Sequence, residues 1–303
     1  MCPLWLTYHR FFLNSLMPTT DTPLRYPGGK TQLTPFVLDV MRANDLMQCA
    51  YCEPFAGGAG IACRLLLAGA VSEIWINDID TSIYAFWHSV LNTPDELCRW
   101  IEKIPVTITE WEKQRAVQQD CAASIFQLGC STLFLNRTNR SGILKGGVIG
   151  GRGQTSEYSL DCRFNRIDLV RKIQRIALYK NQVHLSRVDA EVYIKTVVSK
   201  LPDHSLTNID PPYFGKGPGL YTSFYKPNHH AALSHAVRAI KKPWMLTYDD
   251  APEILDLYKG LPRLLKELSY TAQIKRIGVE LLVMSKTLSW PDSINNEQLL
   301  LSA

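Results

Sequence analysis

The sequence predicts a doubly wound α/β fold: a Rossmann-like, mixed but mainly parallel sheet carrying a mostly helical insert. Three observations carry this. Apolar runs of strand length alternate with longer amphipathic stretches at both ends of the chain. A glycine-rich turn, Gly57-Gly58-Ala59-Gly60, opens an apolar helix directly after the first of those runs. Between about residues 94 and 180 the alternation stops, and helical patterns surround a second glycine-rich segment.

Taken in order, a helix is expected over 33–43, a strand over 49–53, a helix after Gly60, a strand over 74–77 and a helix over 83–91. The insert has helical patterns at 94–103 and 121–136, then the loop Lys145-Gly146-Gly147-Val148-Ile149-Gly150-Gly151-Arg152-Gly153, then an amphipathic helix over 164–180. That loop suits close approach to a phosphate or a groove, and a disordered surface loop would look the same. Strands resume at 183–185, 206–209, 244–247 and 278–284, with a helix opening at Asn228-His229-His230. The expected organisation is an N-terminal extension (1–20), a main unit in two parts (21–93 and 181–303) and the inserted subdomain (94–180).

Composition bounds this reading without deciding it. A chain of 303 residues, 46% hydrophobic and 20% charged, can bury a full core. Its net charge of +5 is too small to diagnose nucleic-acid binding. The distribution says more, because Arg137, Arg140, Lys145, Arg152, Arg163, Arg166, Arg171, Lys172, Arg175 and Lys180 face only Glu157, Asp161 and Asp168 over that stretch. This is a candidate phosphate-tracking surface, or in its later part a solvated helix face. The eight cysteines form no framework: Cys49 and Cys52 make one C-x-x-C without a second pair, so buried free thiols are expected. No H-E-x-x-H occurs among the seven histidines, and the chain reads as reduced, cytoplasmic and without metal. The apolar groups before Met17 are interrupted by His9 and Arg10 and make neither a signal peptide nor a membrane span. Met17 is the expected true start.

Three motifs carry chemistry. The first is Asp210-Pro211-Pro212-Tyr213, at the end of the run Leu206-Thr207-Asn208-Ile209. It suits an exocyclic amine on a flat base, whose lone pair is delocalised into the ring. The Asp210 carboxylate and the Pro211 carbonyl can each accept an N–H, Pro212 stiffens the turn, and Tyr213 offers a face for stacking. A stiff strand-terminating turn would use the same residue types. The second motif is Glu53-Pro54-Phe55-Ala56 with the glycine turn, followed by Glu73-Ile74-Trp75-Ile76-Asn77-Asp78. The spacing does not fit a dinucleotide fingerprint, yet Asp78 stands about 20 residues on, where an acid holds a ribose. Asp78 would alternatively cap the next helix, in competition with Asp80 and Thr81. The third is Arg25-Tyr26-Pro27-Gly28-Gly29-Lys30-Thr31, which is not a phosphate loop because Leu24 replaces the required glycine.

In this order the motifs resemble those of the Dam-type (D12 class, alpha group) N6-adenine-specific DNA methyltransferases. Further matches are Leu133-Phe134-Leu135-Asn136-Arg137 with Ser141-Gly142, Phe164-Asn165-Arg166 and Leu246-Thr247-Tyr248-Asp249-Asp250, so the resemblance runs from about Leu24 to about Ser285. It implies a methyltransferase fold with S-adenosylmethionine as methyl donor and the insert as target-recognition subdomain. Tyr26 and Lys30 would contact the donor; Phe55 and Gly57 would line its pocket with Glu53 beside them; Asp78 would hold the ribose, and Asp189 would lie by the adenine. Asp210 would orient the target amine, next to the donor, and Pro211, Pro212 and Tyr213 would complete the catalytic turn, Tyr213 by stacking. Asn136, Arg137, Arg140, Ser141, Lys145 and Arg152 are the implied DNA contacts. The implied partner is double-stranded DNA, met by a monomer, with restriction or mobile-element genes as genetic company and no membrane. The stretch from Lys145 to Tyr158 departs from the GATC-specific relatives, so no target sequence carries over. Adenine methylation in RNA, and a silent DNA-binding regulator of the same fold, are the rival readings.

Overall fold

The computed structural model describes residues 20–25, 30–215, 225–271, 275–294 and 299–300. The N-terminal extension to residue 19 and Tyr26 therefore lie outside the described residues.

One eight-stranded sheet organises the molecule. Its strands are β1 (Ala50–Glu53), β2 (Glu73–Asn77), β3 (Val183–Ser186), β4 (Ser205–Ile209), β5 (Trp244–Asp249), β6 (Arg263–Thr271), β7 (Lys275–Met284) and β8 (Leu299–Leu300). They lie in the order β3-β2-β1-β4-β5-β7-β6-β8, with the first five parallel and the remainder antiparallel. The sheet is thus mixed and mainly parallel, as expected. Every residue of β4 and β5 is buried, the pattern of strands covered on both faces.

Alternation along the strands sorts two cores. Tyr51, Ile76, Leu206, Met245 and Leu282 point to one face. Cys52, Ile209, Leu246, Leu281 and Val283 point to the other. The first face is covered by α1 (Thr34–Ala43), α2 (Gly60–Leu67) and α3 (Thr81–Asn92), and the second by α8 (Ala190–Thr196), α9 (Pro227–Arg238) and α10 (Pro252–Leu257). Between them in sequence come α4 (Pro94–Lys103), α5 (Ile108–Val117), α6 (Ile125–Thr138) and α7 (Arg166–Ala177). Local signals start these helices. Ser124 and Gln127 close a capping box on α6, and Asn165 caps α7.

The helices of 94–180 do not form a core of their own. Leu97, Ile101, Trp111, Phe134, Leu169 and Ile173 are buried in the same cluster as Val37, Ile61 and Ile76. Helices α5, α8 and α10 and strands β6 and β8 escaped the sequence pattern, two of them for reasons their residues show. Helix α5 buries Glu110, Trp111 and Gln114, so it presents no apolar stripe to read. Strand β6 carries Arg263, Lys266 and Glu267 among its leucines, which hides its period. Cys49 and Cys52 are buried free thiols, and burial pushes the Cys49 thiol up to about 12. Among the described residues no helix is long and apolar enough to cross a membrane.

Candidate active site

Strand order reverses between β1 and β4, and in an open α/β sheet ligands bind at the carboxyl ends of strands flanking such a point. The register pairs Tyr51 with Leu206 and Cys52 with Thr207, so the turn after β1 and the tetrapeptide after β4 emerge side by side.

On the β1 side the backbone is shaped for close approach. Gly57 and Ala59 both have positive φ, at 48° and 45°. The Trp87 indole donates to the Gly57 carbonyl at 2.9 Å, fixing the turn from α3. Asp78, at the end of β2, accepts from Gly57 N at 2.8 Å and Asp80 N at 2.9 Å. Burial pushes its carboxyl up to about 6 against the pull of those two bonds. Capping of α3 falls to Asp80, which accepts from Ser82 N at 2.8 Å, so Asp78 is not the cap. Asn77 bridges three strand ends through Pro54 O, Val188 O and Val188 N. Phe55 stands edge-on to Tyr225 at 6.0 Å on the rim.

Glu53 departs from its expected place. Its carboxylate accepts from the Tyr51 hydroxyl and Ala62 N, both at 3.2 Å, underneath the turn. Only 5% exposed, its carboxyl is pushed up to about 8 by burial, and it ties β1 to α2. Asp189 also takes a different role: it is exposed and caps α8, accepting from Glu191 N and Val192 N.

The β4 side is a charged cluster. Asp210 Oδ1 accepts from the Thr247 hydroxyl at 2.6 Å and lies 3.9 Å from the Lys30 ammonium. Burial raises the Asp210 carboxyl above its ordinary range, while Lys30 and Thr247 oppose the shift. Lys30 reaches into this cluster. Its Nζ lies 3.4 Å from Glu280 Oε1, donates to the Tyr213 hydroxyl and sits 4.5 Å from that ring's centre. Tyr213 in turn donates to Glu280 Oε2. The Tyr213 ring, 6% exposed, packs against Tyr248 rather than standing open as a platform. Phe214 and Tyr225 supply the partly exposed aromatic surface beside it, around the buried His230. Pro211 is buried and Pro212 half-buried, so the turn between Asp210 and Tyr213 is packed as well as stiff.

Three residues of this site were not picked out as site residues in the sequence. Thr247 and Asp249 lie on β5; Asp249 accepts from Phe214 N at 3.0 Å and Gly215 N at 2.7 Å, holding the exit of the tetrapeptide. Glu280 on β7 is the cross-strand partner of Asp249. The run Leu246–Asp250 matched the family pattern, but nothing local marked what Thr247 and Asp249 hold.

The expected DNA contacts divide in two. Asn136 is 1% exposed, and its amide accepts from Arg25 N at 2.7 Å while donating to Arg25 O at 2.7 Å and Gly142 O at 3.0 Å. It is a clamp and not a DNA contact. Arg137 is 8% exposed, and burial next to Arg25 and Arg163 pulls its guanidinium down to about 10, with Asp168 opposing. Arg140, Lys145 and Arg152 are exposed and Ser141 partly so, with φ of 56°. Arg152 pairs with Glu112 at 3.9 Å. The glycine-rich loop between them is ordered: Asn139 donates to Ile143 O and Leu144 O, and Gln154 to Ile149 O and Gly151 O. The basic stretch shrinks after Phe164. Arg166 donates to Ile101 O and Ile104 O, Arg171 and Lys172 pair with Asp168, and Arg175 pairs with Asp21.

A doubly wound sheet with a glycine turn and an acid on one side of its switch point, and an Asp-Pro-Pro-Tyr on the other, defines an S-adenosylmethionine-dependent methyltransferase. The model of the D12 class N6 adenine-specific DNA methyltransferases matches residues 26–274, and the chain belongs to that family. No curated protein matches the chain. Among solved structures it is similar to the rRNA methyltransferase aviRa of Streptomyces viridochromogenes, at 11% identity over 86% of each chain with a TM-score of 0.37. It is also similar to TrmN of Thermus thermophilus, at 12% identity over 84% of this chain and 48% of that one with a TM-score of 0.37. A SAM-dependent methyltransferase of Agrobacterium tumefaciens matches at 9% identity over 86% of this chain and 63% of that one, TM-score 0.38. These likenesses carry no argument about substrate.

Proposed function

We propose that this methyltransferase modifies the N6 amine of an adenine flipped out of duplex DNA, in the cytoplasm and as a monomer. One observation supports this above the others: Asp210, oriented by Thr247 and flanked by Lys30, stands beside the turn at Gly57. S-adenosylmethionine supplies, when bound, a methyl group already activated on a sulfonium. The residues fit that ligand, since Gly57 and Ala59 give an open turn and Asp78 offers a carboxylate at its rim. Gly57, Phe55 and Asp78 would hold it.

The remaining work is positional. Asp210 accepts one N–H of the amine, draws the lone pair out of conjugation and receives the proton the amine gives up. Phe214 and Tyr225 give the base an aromatic surface, and water is kept out by the packed turn at 211–213. Alignment of this kind contributes roughly 7–11 kcal/mol to a barrier. Extrusion of the base costs a few kcal/mol, and exposed Arg140, Lys145 and Arg152 supply the compensating contacts to the duplex. DNA is favoured over RNA by the family to which the chain belongs.

Tritium transfer from labelled S-adenosylmethionine to duplex DNA, single-stranded DNA and RNA tests this. Transfer to adenine in duplex DNA is expected, lost in Asp210→Ala with cofactor binding retained. Transfer to RNA alone would replace the substrate, and no transfer to either polymer would sink the reading.

A further inference from the structure

Glu280 is the one buried carboxylate of the cluster that no motif accounts for. It is 1% exposed, within contact of both the Lys30 ammonium and the Tyr213 hydroxyl, and two charge contacts from Asp210. A carboxylate fully removed from water is costly unless it is paired and hydrogen-bonded, and Lys30 and Tyr213 do both here. Among the described groups, Asp210 and Glu280 share one ammonium. Both carboxylates therefore lean on the same positive charge, and a proton taken up by either relieves their mutual repulsion.

That is the requirement of the reaction at this site. As the amine attacks, the N–C bond forms with the nitrogen lone pair, the S–C bond breaks with its electron pair left on sulfur, and one N–H proton must leave. We propose that Glu280 completes the base: Asp210 takes the amine proton, Lys30 passes one of its own protons to Glu280 and is refilled from Asp210, so that the proton is held on Glu280 until product leaves. Atoms and charge balance, because Lys30 ends as it began. The proton returns to water by the same groups, through Asp210, whose side chain is 27% exposed.

The other groups facing Glu280 leave it available for this role. Asp249, directly across on β5, is engaged by Phe214 N and Gly215 N. Lys266, across on β6, has its ammonium over the Phe36 ring at 5.4 Å. Burial pushes Glu280 up to about 7, with Lys30 pulling the other way, so it exchanges protons in the neutral range as a unit with its neighbours. In this scheme Glu280 meets neither base nor donor. It is a positioning and proton-holding residue acting through Lys30 and Asp210.

The inference rests on the adenine-amine reading, and two measurements separate their fates. In single-turnover transfer to duplex DNA at saturating donor, followed from about pH 5 to about pH 9, wild type should gain rate as the cluster deprotonates. Glu280→Gln should be slower by about 10-fold or more, with its acid limb moved to lower pH, because one of the two repelling carboxylates beside Lys30 is gone. A slower E280Q with an unmoved limb would reduce Glu280 to scaffolding and overturn the proposal. In the second measurement, carbon-13 NMR of glutamate-labelled free protein should show a carboxyl titrating near neutrality that E280Q lacks. Absence of that titration overturns the proposal even if wild type is inert on every polymer, in which case the adenine reading fails separately. Should E280Q not fold, Tyr213→Phe, which removes the hydroxyl that donates to Glu280 and favours its ionised form, is expected to move the limb to higher pH, and an unmoved limb counts against the relay.

Discussion

Removing the Thr247 hydroxyl tests the orientation of Asp210 most directly. Thr247→Val is nearly isosteric, at a position 1% exposed, and deletes the 2.6 Å bond to Asp210 Oδ1. A hydrogen bond to a charged group contributes about 1.5–3 kcal/mol, which corresponds to roughly 10- to 150-fold at 1.4 kcal/mol per decade. Asp210 keeps 27% of its side-chain surface, so water replaces part of the lost bond and the lower end applies. The expected loss is about 10-fold in kcat, with the KM for S-adenosylmethionine unchanged because Thr247 is on the far side of Asp210 from the glycine turn. There is also a sign to check. Thr247 favours the ionised carboxylate, so T247V raises the Asp210 pKa and moves the acid limb to higher pH, opposite to Glu280→Gln. Single-turnover tritium transfer across pH reads both quantities. Wild-type kcat with an unshifted limb would show that Asp210 is oriented by something else.

Four further outcomes follow from the geometry. Asp249→Ala should lower kcat and destabilise the protein by about 1–3 kcal/mol in urea unfolding, since it leaves Phe214 N and Gly215 N without their acceptor. Asn136→Ala should cost on the order of 2–4 kcal/mol of stability, measured the same way, through three bonds made by one buried side chain. Arg152→Ala should leave stability unchanged and reduce the slope of log K against log salt by about 0.9, and an unchanged slope would remove Arg152 from the phosphate contacts. Glu53 holds its proton up to about 8 in the fold against 4.5 in the unfolded chain, so the native state binds more protons between those values and stability falls as pH rises across that window. Glu53→Gln should flatten that fall, by a few kcal/mol at its alkaline end, in melting curves taken across pH.

What was legible in the sequence was local. Asp210-Pro211-Pro212-Tyr213, the turn at Gly57 and the acid at Asp78 announce themselves because each is a short run whose residue types have few joint uses. The alternation of apolar runs revealed the sheet for the same reason. Thr247, Asp249 and Glu280 act on that site from 37, 35 and 67 residues away, and a Thr, an Asp or a Glu in an apolar strand says nothing about which partner it will meet. The basic stretch misled in the other direction. Counting charges could not reveal that Arg166 ties down the end of α4 or that Asn136 turns inward, because both depend on packing against chain far away in sequence. The contacts expected of Lys30 and Tyr213 were with ligands, and in the fold their side chains meet each other.

The Asn136 clamp bears on how this enzyme could change its target. It joins the end of α6 to Arg25, 111 residues earlier, in the segment that leads to Lys30. The apolar side chains of the same region share their core with α1 and α2. Residues 94–180 are therefore not a cassette. On the proposed reading, a recognition insert transplanted alone from a relative would leave the Arg25 amide and carbonyl unmatched, and would have to rebuild its share of a common core. On that reading, altered specificity has to travel with its N-terminal partner or arise in place, by exchange of exposed side chains such as Arg140, Lys145 and Arg152 on a framework that stays where it is.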